Sequence, residues 1–401
     1  MPNQSRSLLP KVKVSPRGAT RLKNGHVWVY RSDIVSADGI APGSLVIVTD
    51  QRGKSLGTAL YSSSSQIAIR MLAREEVTDF PALLRQRIAE AIDYRKNVVR
   101  DTDAYRVIFS EADFLPGLIV DRYNEILSLQ ILTQAMDGEF VRATAISELS
   151  ERLHPASIVE RVDPRVRELE MLPPRASGRL QGEKASTIFT MNGVQFHYDA
   201  LEGQKTGGFL DQRENYAAAA QYAHGEALDV FCYQGGFALH LAPRCSQVTG
   251  VDSSRPALEV AEQNAGLNQT LLNGKEMEWI EANAFDLLKD YAASNQRYDT
   301  IILDPPAFAK TKRDLDSALR GYKELNLRAL KMLRPGGILV TCSCSYHVGQ
   351  ADFLEMLGSA ALDAHRTLRL IEVQGQAKDH PVLLSVPETA YLKCVIAHVS
   401  I

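Results

Sequence analysis

The 401-residue chain is poor in cysteine, and that excludes much. It has five: Cys232, Cys245, Cys342, Cys344 and Cys394. An odd, sparse set argues against the disulfide framework of a small secreted domain. Cys342 and Cys344 are one residue apart, not the two to four of a zinc knuckle, and no second Cys/His pair stands at ligand spacing. No metal is therefore expected. No apolar run approaches the roughly 18 to 20 residues that would span a bilayer. The first residues, Met1-Pro-Asn-Gln-Ser-Arg-Ser7, lack the apolar stretch of a signal peptide. These absences predict a cytoplasmic protein without a membrane partner. There is no internal repeat. Nor is there a G-x-G-x-x-G turn, so a dinucleotide dehydrogenase fits poorly.

Charge is nearly balanced at −3, but unevenly placed. Residues 1–75 hold eleven Lys and Arg against four Asp and Glu, a net of +7, so the remainder carries −10. A basic first segment suits a nucleic-acid-docking module, although a small soluble domain can also be basic by chance. Short alternating runs at 26–30, 44–48 and 66–70, bounded by Asn24-Gly25, Pro42-Gly43 and Arg52-Gly53, predict a compact β-barrel. Residues 79–100 switch to helical spacing, and runs at 105–109, 118–120, 125–132 and 157–161 with a helix over 139–153 predict a mixed α+β insert. From about 225 onward strands and helices alternate, which predicts an α/β fold with a doubly wound, Rossmann-like sheet. The expected division is 1–76, 77–195 and 196–401.

In such a sheet ligands bind beyond the carboxyl ends of the strands. The first strand end reads Asp229-Val-Phe231-Cys-Tyr233-Gln-Gly235-Gly, where small residues let backbone approach a ligand. The second ends at Asp252-Ser253, a carboxylate placed for a ribose diol. The third offers Asn283-Ala284-Phe285, an amide and a ring that could bracket adenine. In order, they point to an adenosine-containing ligand. Two further strand ends carry chemistry: Asp304-Pro305-Pro306-Ala307-Phe308, and Thr341-Cys342-Ser343-Cys344-Ser345.

These elements resemble motifs I to IV of class I S-adenosylmethionine-dependent methyltransferases. The chain is similar, over nearly its whole length, to the PUA-domain 23S rRNA methyltransferases of the RlmI type. The resemblance is carried by Arg21–Tyr30, Leu115–Arg122, Gly203–Arg213, Asp304–Lys310, Thr341–Ser345 and Asp379–Val382. Two positions depart from the family: Asn283 stands where aspartate is more usual, and Gly208 where phenylalanine is common. The resemblance implies an N-terminal PUA domain for RNA, a central β-α-β insert and a Rossmann-like methyltransferase domain. It implies S-adenosyl-L-methionine as cofactor, and 23S rRNA or an assembling large ribosomal subunit as partner; a homodimer is left open.

The reaction it implies is methylation of cytosine carbon 5 through a cysteine-linked intermediate, because a thiolate added at carbon 6 makes carbon 5 nucleophilic. Cys342 resembles the family nucleophile and Cys344 is its competitor; on a continuing strand both would share a face. Asp304 could hold the cytosine ring nitrogen or amine, Pro305 and Pro306 form a stiff wall, and Phe308 could stack on the base or simply pack in the core. Asp211 resembles a helix-start residue, with Gln212 and Arg213 lining the cofactor or RNA side. Asp379-His380 could supply a base or bind phosphate. Arg17, Arg21, Lys23 and Arg31 are the candidate RNA contacts, with Trp28 either stacking or in the barrel core. The alternatives are a nitrogen methyltransferase such as a guanine-N7 enzyme, and a non-catalytic RNA-binding or assembly protein.

Overall fold

The structure is a computed structural model that describes residues 9–201, 208–309 and 311–401. Contacts divide the chain into two units. The first takes Met1–Thr187, Tyr198–Gly208 and Asp379–Thr389; the second takes Ile188–His197, Phe209–Lys378 and Ala390–Ile401.

The first unit carries two sheets. One is six-stranded, from Lys11–Val14, Trp28–Tyr30, Ile34–Ser36, Leu45–Thr49, Ser55–Tyr61 and Ile67–Ala73. Only some of these strands are expected from alternation, and the helix Pro16–Lys23 is not expected at all. That helix starts because Ser15 Oγ accepts a hydrogen bond from the Gly18 amide at 3.1 Å and proline stands in the first turn. Gly18 lets it lie close to the sheet: a Cβ there would meet Val29 at 3.1 Å.

The second sheet is five-stranded: Gly178–Gln181, Ser157–Glu160, Ile126–Ile131, Leu118–Tyr123 and Ala104–Phe109, in that order. Helices Phe80–Val98 and Glu139–Leu153 flank it. Leu84, Ile88 and Ile92 of the former bury their stripe with Ile108, Val120, Leu129 and Ile158 of the strands.

Arg95 continues that stripe as a charge, and its side chain is 1% exposed. It pairs with Asp113 at 2.5 Å and donates to the carbonyls of Arg106 at 2.9 Å and Asp379 at 2.8 Å. Asp379 Oδ2 in turn accepts from the Arg106 amide at 2.7 Å, and the His380 ring packs 5.3 Å from that of Phe109. Asp379 and His380 are therefore buried structural groups of this unit, which corrects their reading as a base or a phosphate ligand.

The second unit is built on a seven-stranded sheet. Its strands are β1 (Gly225–Val230), β2 (Cys245–Asp252), β3 (Glu278–Glu281), β4 (Tyr298–Leu303), β5 (Leu333–Ser343), β6 (Thr367–Gln374) and β7 (Lys393–Ser400). The order is β3-β2-β1-β4-β5-β7-β6, parallel except for β7, which runs antiparallel to both neighbours. Helices Arg255–Leu267, Ala284–Ala293, Leu315–Met332 and Gln350–Asp363 are the connections. The inner strands read as continuous apolar runs because both faces are covered. Leu228, Val230, Ile301, Leu303 and Leu339 share one core with Leu325, Ala329 and Leu330 of helix Leu315–Met332. The expected α/β fold with a Rossmann-like sheet is present. No described helix is long and apolar enough to cross a membrane.

Arg95→Met would remove a buried cation and leave the Asp113 carboxylate buried without its partner. A loss of about 3–5 kcal/mol in urea unfolding is expected; an unfolding curve within 1 kcal/mol of wild type, on the order of a surface substitution, would contradict this account.

Candidate active site

The site lies where β1 stands between β2 and β4, so that successive connections leave in opposite directions and open a crevice. The Asp304 amide donates to the Val230 carbonyl at 3.3 Å, which brings the ends of β1 and β4 side by side.

After β1 the chain turns sharply: Phe231, Tyr233 and Gly235 have φ of 68°, 50° and 84°. The Phe231 and Cys232 amides still donate to the Val251 carbonyl, and the Tyr233 amide donates to Asp252 Oδ2 at 3.0 Å. Gly235 is required, since a Cβ would meet Trp279 at 2.9 Å on a left-handed backbone. Asp229, fully buried at the end of β1, accepts the Ala238 amide at 2.8 Å and so pins this turn to the helix Gly236–Leu241. Burial, and then the charges of Asp304 and Asp252, push the Asp229 carboxyl up to about 8.

Asp252 Oδ1 accepts the Ser254 amide at 2.9 Å; Ser253 is exposed, and Ser254 rather than Asp252 caps the next helix. At the end of β3, Asn283 Oδ1 accepts the amides of Phe285 at 2.9 Å and Asp286 at 3.3 Å. The oxygen of Asn283 is thus a helix cap, and only its Nδ2 is available to address a ligand. Ala284 is buried, while the Phe285 ring is exposed.

Asp304 Oδ2 accepts Gln212 Nε2 at 3.0 Å. Gln212 is buried and fixed through its own oxygen, which accepts from Asn215 Nδ2 at 2.6 Å. Asp211 is not the helix cap that its position suggests. Helix Arg213–Tyr222 has no side-chain cap; Asp211 Oδ2 instead accepts the Tyr391 hydroxyl at 2.6 Å. Arg213 is buried, its guanidinium 3.5 Å from Glu214. The Gly203–Gly207 stretch of the same motif, and Lys310, lie outside the described residues.

Pro305 is buried and Pro306 exposed. Phe308 packs between aromatic rings, 4.7 Å from Tyr322 and 6.0 Å from Phe285, which favours its core reading over stacking on a base. The two thiols separate. Cys342 is wholly buried and opposite Cys394 of β7. Burial above all, then the Cys394 thiol and the Asp304 charge, push Cys342 well above the usual thiol range, against a hydrogen bond with Gln212. Cys344 lies beyond the end of β5, half-buried, its Sγ 3.8 Å from the Pro305 carbonyl. The strand stops at Ser343, so the alternation that would put both thiols on one face does not extend to Cys344.

Among the RNA candidates Arg17 and Lys23 are exposed on helix Pro16–Lys23, beside exposed Lys11 and Lys13. Arg21 lies over the Tyr30 ring at 4.5 Å and 3.8 Å from Asp33. Arg31 donates to the carbonyls of Ser62 and Ser65. Both are committed within the first unit, as is Trp28, whose Nε1 donates to Glu111 at 3.1 Å. Sequence reading missed Asn215, which positions Gln212 from the first turn of the helix that follows it, and Tyr391, which holds Asp211 from far along the chain. Among the described residues no group of His, Cys, Asp and Glu could hold a metal ion.

The carboxylate at the end of β2, the amide at the end of β3 and the backbone turn after β1 match the polar edges of an adenosine moiety. Residues 12–74 match the PUA-like domain family, and residues 139–396 match the S-adenosylmethionine-dependent methyltransferase family. The ribosomal RNA large subunit methyltransferase I of Yersinia pseudotuberculosis is 39% identical over 377 residues, covering 92% of this chain and 94% of that protein; the one from Yersinia pestis is equally similar. The crystal structure of SMU.776 complexed with SAH shares the fold at TM-score 0.83 and 19% identity, over 97% of this chain and all of that one. A structure from Streptococcus mutans gives 0.82, at the same identity and coverage.

Asp229 supplies a pH test. Its carboxyl is raised in the folded state, so the folded protein holds a proton that the unfolded chain releases above about 3.9. Stability should be undiminished below that value, fall as pH rises towards about 8, and level off beyond. In Asp229→Asn this component should vanish. The difference in Tm between wild type and D229N, followed from pH 4 to 9, measures it; parallel curves would refute the assignment.

Proposed function

The chain belongs to the S-adenosylmethionine-dependent methyltransferases that carry a PUA-like domain, and on that premise we propose that it methylates carbon 5 of a cytosine in large-subunit ribosomal RNA. The observation that carries this reading is a half-buried thiol, Cys344, beside the Asp304-Pro305-Pro306 turn. A nitrogen methyltransferase would have no use for it. The name and near full-length similarity of the Yersinia relatives support ribosomal RNA as the substrate.

When bound, S-adenosylmethionine supplies an electrophilic methyl group. Asp252 would take the ribose hydroxyls, the turn through Phe231, Tyr233 and Gly235 would face the amino-acid part, and Asn283 Nδ2 with the Phe285 ring would bracket the adenine. Asp211, Gln212 and Arg213 would close the site from the helix side.

For the base, Cys344 is the better nucleophile of the two thiols. Only the thiolate attacks, and the surroundings of Cys342 oppose its ionisation. Sγ of Cys344 adds to carbon 6 and the ring electrons move towards the N3 and carbonyl edge, where Asp304, aimed by Gln212, can share a proton with the ring. Carbon 5 would then take the methyl group as the sulfonium–methyl bond breaks and the donor leaves as its thioether; a base removes the carbon-5 proton, and the electrons of that bond expel the thiolate from carbon 6. Pro305 and Pro306 wall a pocket for a nucleotide drawn out of its stack. Asp229 keeps the turn closed. We further infer that residues 1–76 form the RNA-docking domain, 77–195 the insert and 196–401 the methyltransferase domain, with Arg17 and Lys23 among the phosphate contacts.

Incubation of large-subunit rRNA with labelled cofactor should place label in 5-methylcytidine; label in 7-methylguanosine alone would overturn the proposal. Cys344→Ala should lose turnover and the covalent adduct with 5-fluorocytosine RNA, whereas Cys342→Ala should keep the adduct. The reverse pattern would return the nucleophile to Cys342. Arg17→Ala with Lys23→Ala should weaken RNA binding and reduce its log–log salt slope by about 2, as expected for two phosphate contacts. An unchanged slope would move the docking face elsewhere.

A further inference from the structure

Lys393 is a buried cation. It lies on β7 opposite Ser343 of β5, and is 7% exposed. Its Nζ donates to the carbonyl of Ser345 at 2.7 Å and that of Tyr391 at 2.9 Å. Two carbonyls hold an ammonium in place but do not balance its charge. Among the described residues no carboxylate is within ion-pair distance of it, and buried lysines without a counter-charge are costly. Burial pushes its pKa down to about 8, and among the described residues the charge that acts to restore it is that of Cys344.

The other titratable groups packed around this end of β5 and β7 do not compete. From helix Leu315–Met332, the Tyr322 hydroxyl is held by Ser343 and Ser345, and its pKa is raised, chiefly by burial. The Tyr391 hydroxyl is bonded to Asp211. Cys342 and Cys394 face each other across the β5–β7 pair, and Cys342 also faces the Asp304 carboxylate. The attraction between an ammonium and a thiolate is mutual, so whatever Cys344 does for Lys393 is returned.

We propose that Lys393 is a positioning residue: an ammonium clamped between the carbonyls of Ser345 and Tyr391 that holds Cys344 in its reactive thiolate form. The inference rests on the reading of Cys344 as the nucleophile, yet it concerns a property of the thiol that needs no RNA. The backbone carbonyl of Ser345, the residue after the thiol, is itself the anchor. The cation is thereby tied to the short segment that carries the sulfur. The effect should fade as Lys393 loses its proton, above about pH 8.

The test is the rate of iodoacetamide alkylation at Cys344 in the full-length protein, in which the thiolate displaces iodide to form a carbon–sulfur bond. The rate is read by peptide mass spectrometry from pH 5.5 to 10 in wild type, K393M and K393R. In wild type the half-maximal rate should lie below the roughly 8.5 of an ordinary cysteine. K393M should raise that midpoint by about one unit and cut the rate at pH 6.5 about tenfold, while K393R, which keeps the charge, should restore much of it. A K393M protein that melts cooperatively but shows the wild-type profile would overturn the proposal. So would a wild-type midpoint at or above that of free cysteine, which decides the matter even if K393M does not fold. If C344A still forms 5-methylcytidine while the alkylation profile depends on Lys393, the reading of Cys344 as the nucleophile fails and this inference stands. If C344A is inactive but the profile ignores Lys393, this inference fails alone.

Discussion

The placement of β1 against β4 is the constraint on which the rest of the second unit depends. The pairing puts Val230 opposite Leu303, and the next amide along, that of Asp304, still bonds back to Val230. One strand end then supplies the turn through Phe231, Tyr233 and Gly235, and the neighbouring end supplies Asp304 and its two prolines. Neither set of groups is a site without the other. The sheet also dictates how buried these ends are. A parallel strand covered on both faces has no polar side to offer, so its functional groups are confined to the last residue and the turn beyond it.

Burial at those ends has electrostatic consequences that order the groups. Asp229 is so enclosed that it favours its neutral form, and it works as a brace for the turn, not as a charge. Asp304 sits farther out and is aimed by Gln212, whose orientation is fixed by Asn215. The two thiols differ for the same reason: Cys342 belongs to the sheet, Cys344 to the rim. A single residue beyond the end of β5 thus separates a packing sulfur from a half-buried one.

Much of this architecture is legible in the sequence. The inner strands announce themselves as apolar runs such as Thr300-Ile-Ile-Leu303. Helix 139–153 coincides with its expected bounds because its apolar stripe ends at a clear break. Lys11–Val14 is only four residues long and Ser55–Tyr61 is interrupted by Gly57 and other small residues, so both escape pattern reading, and Pro16 looks like a breaker where it is in fact the first turn of a helix. At the site, the order of strand-end groups is readable, but their pairings are not. Gln212 meets Asp304 across 92 positions, and Asp211 meets Tyr391 across 180. Lys393 is obscured for a related reason. In Tyr-Leu-Lys-Cys-Val-Ile-Ala it reads as the polar position of an edge strand, yet β7 lies inside the sheet between β5 and β6.

The path of residues 379–389 bears on how such a chain can be inherited. This stretch falls between β6 and β7, two strands of the second unit, yet it belongs to the first, where Val386 is buried with Val12, Val29 and Ile69 and the Asp379 carbonyl receives Arg95. The two units are therefore not beads on a string. A gene fragment ending at Thr187 would encode the first unit with a piece of its core missing, and a fragment beginning there would encode the second unit with an apolar loop left uncovered. Recombination that trades one half for another is penalised at both ends. The interleaving makes the two halves a single heritable module, free to drift in sequence together but not to be shuffled apart.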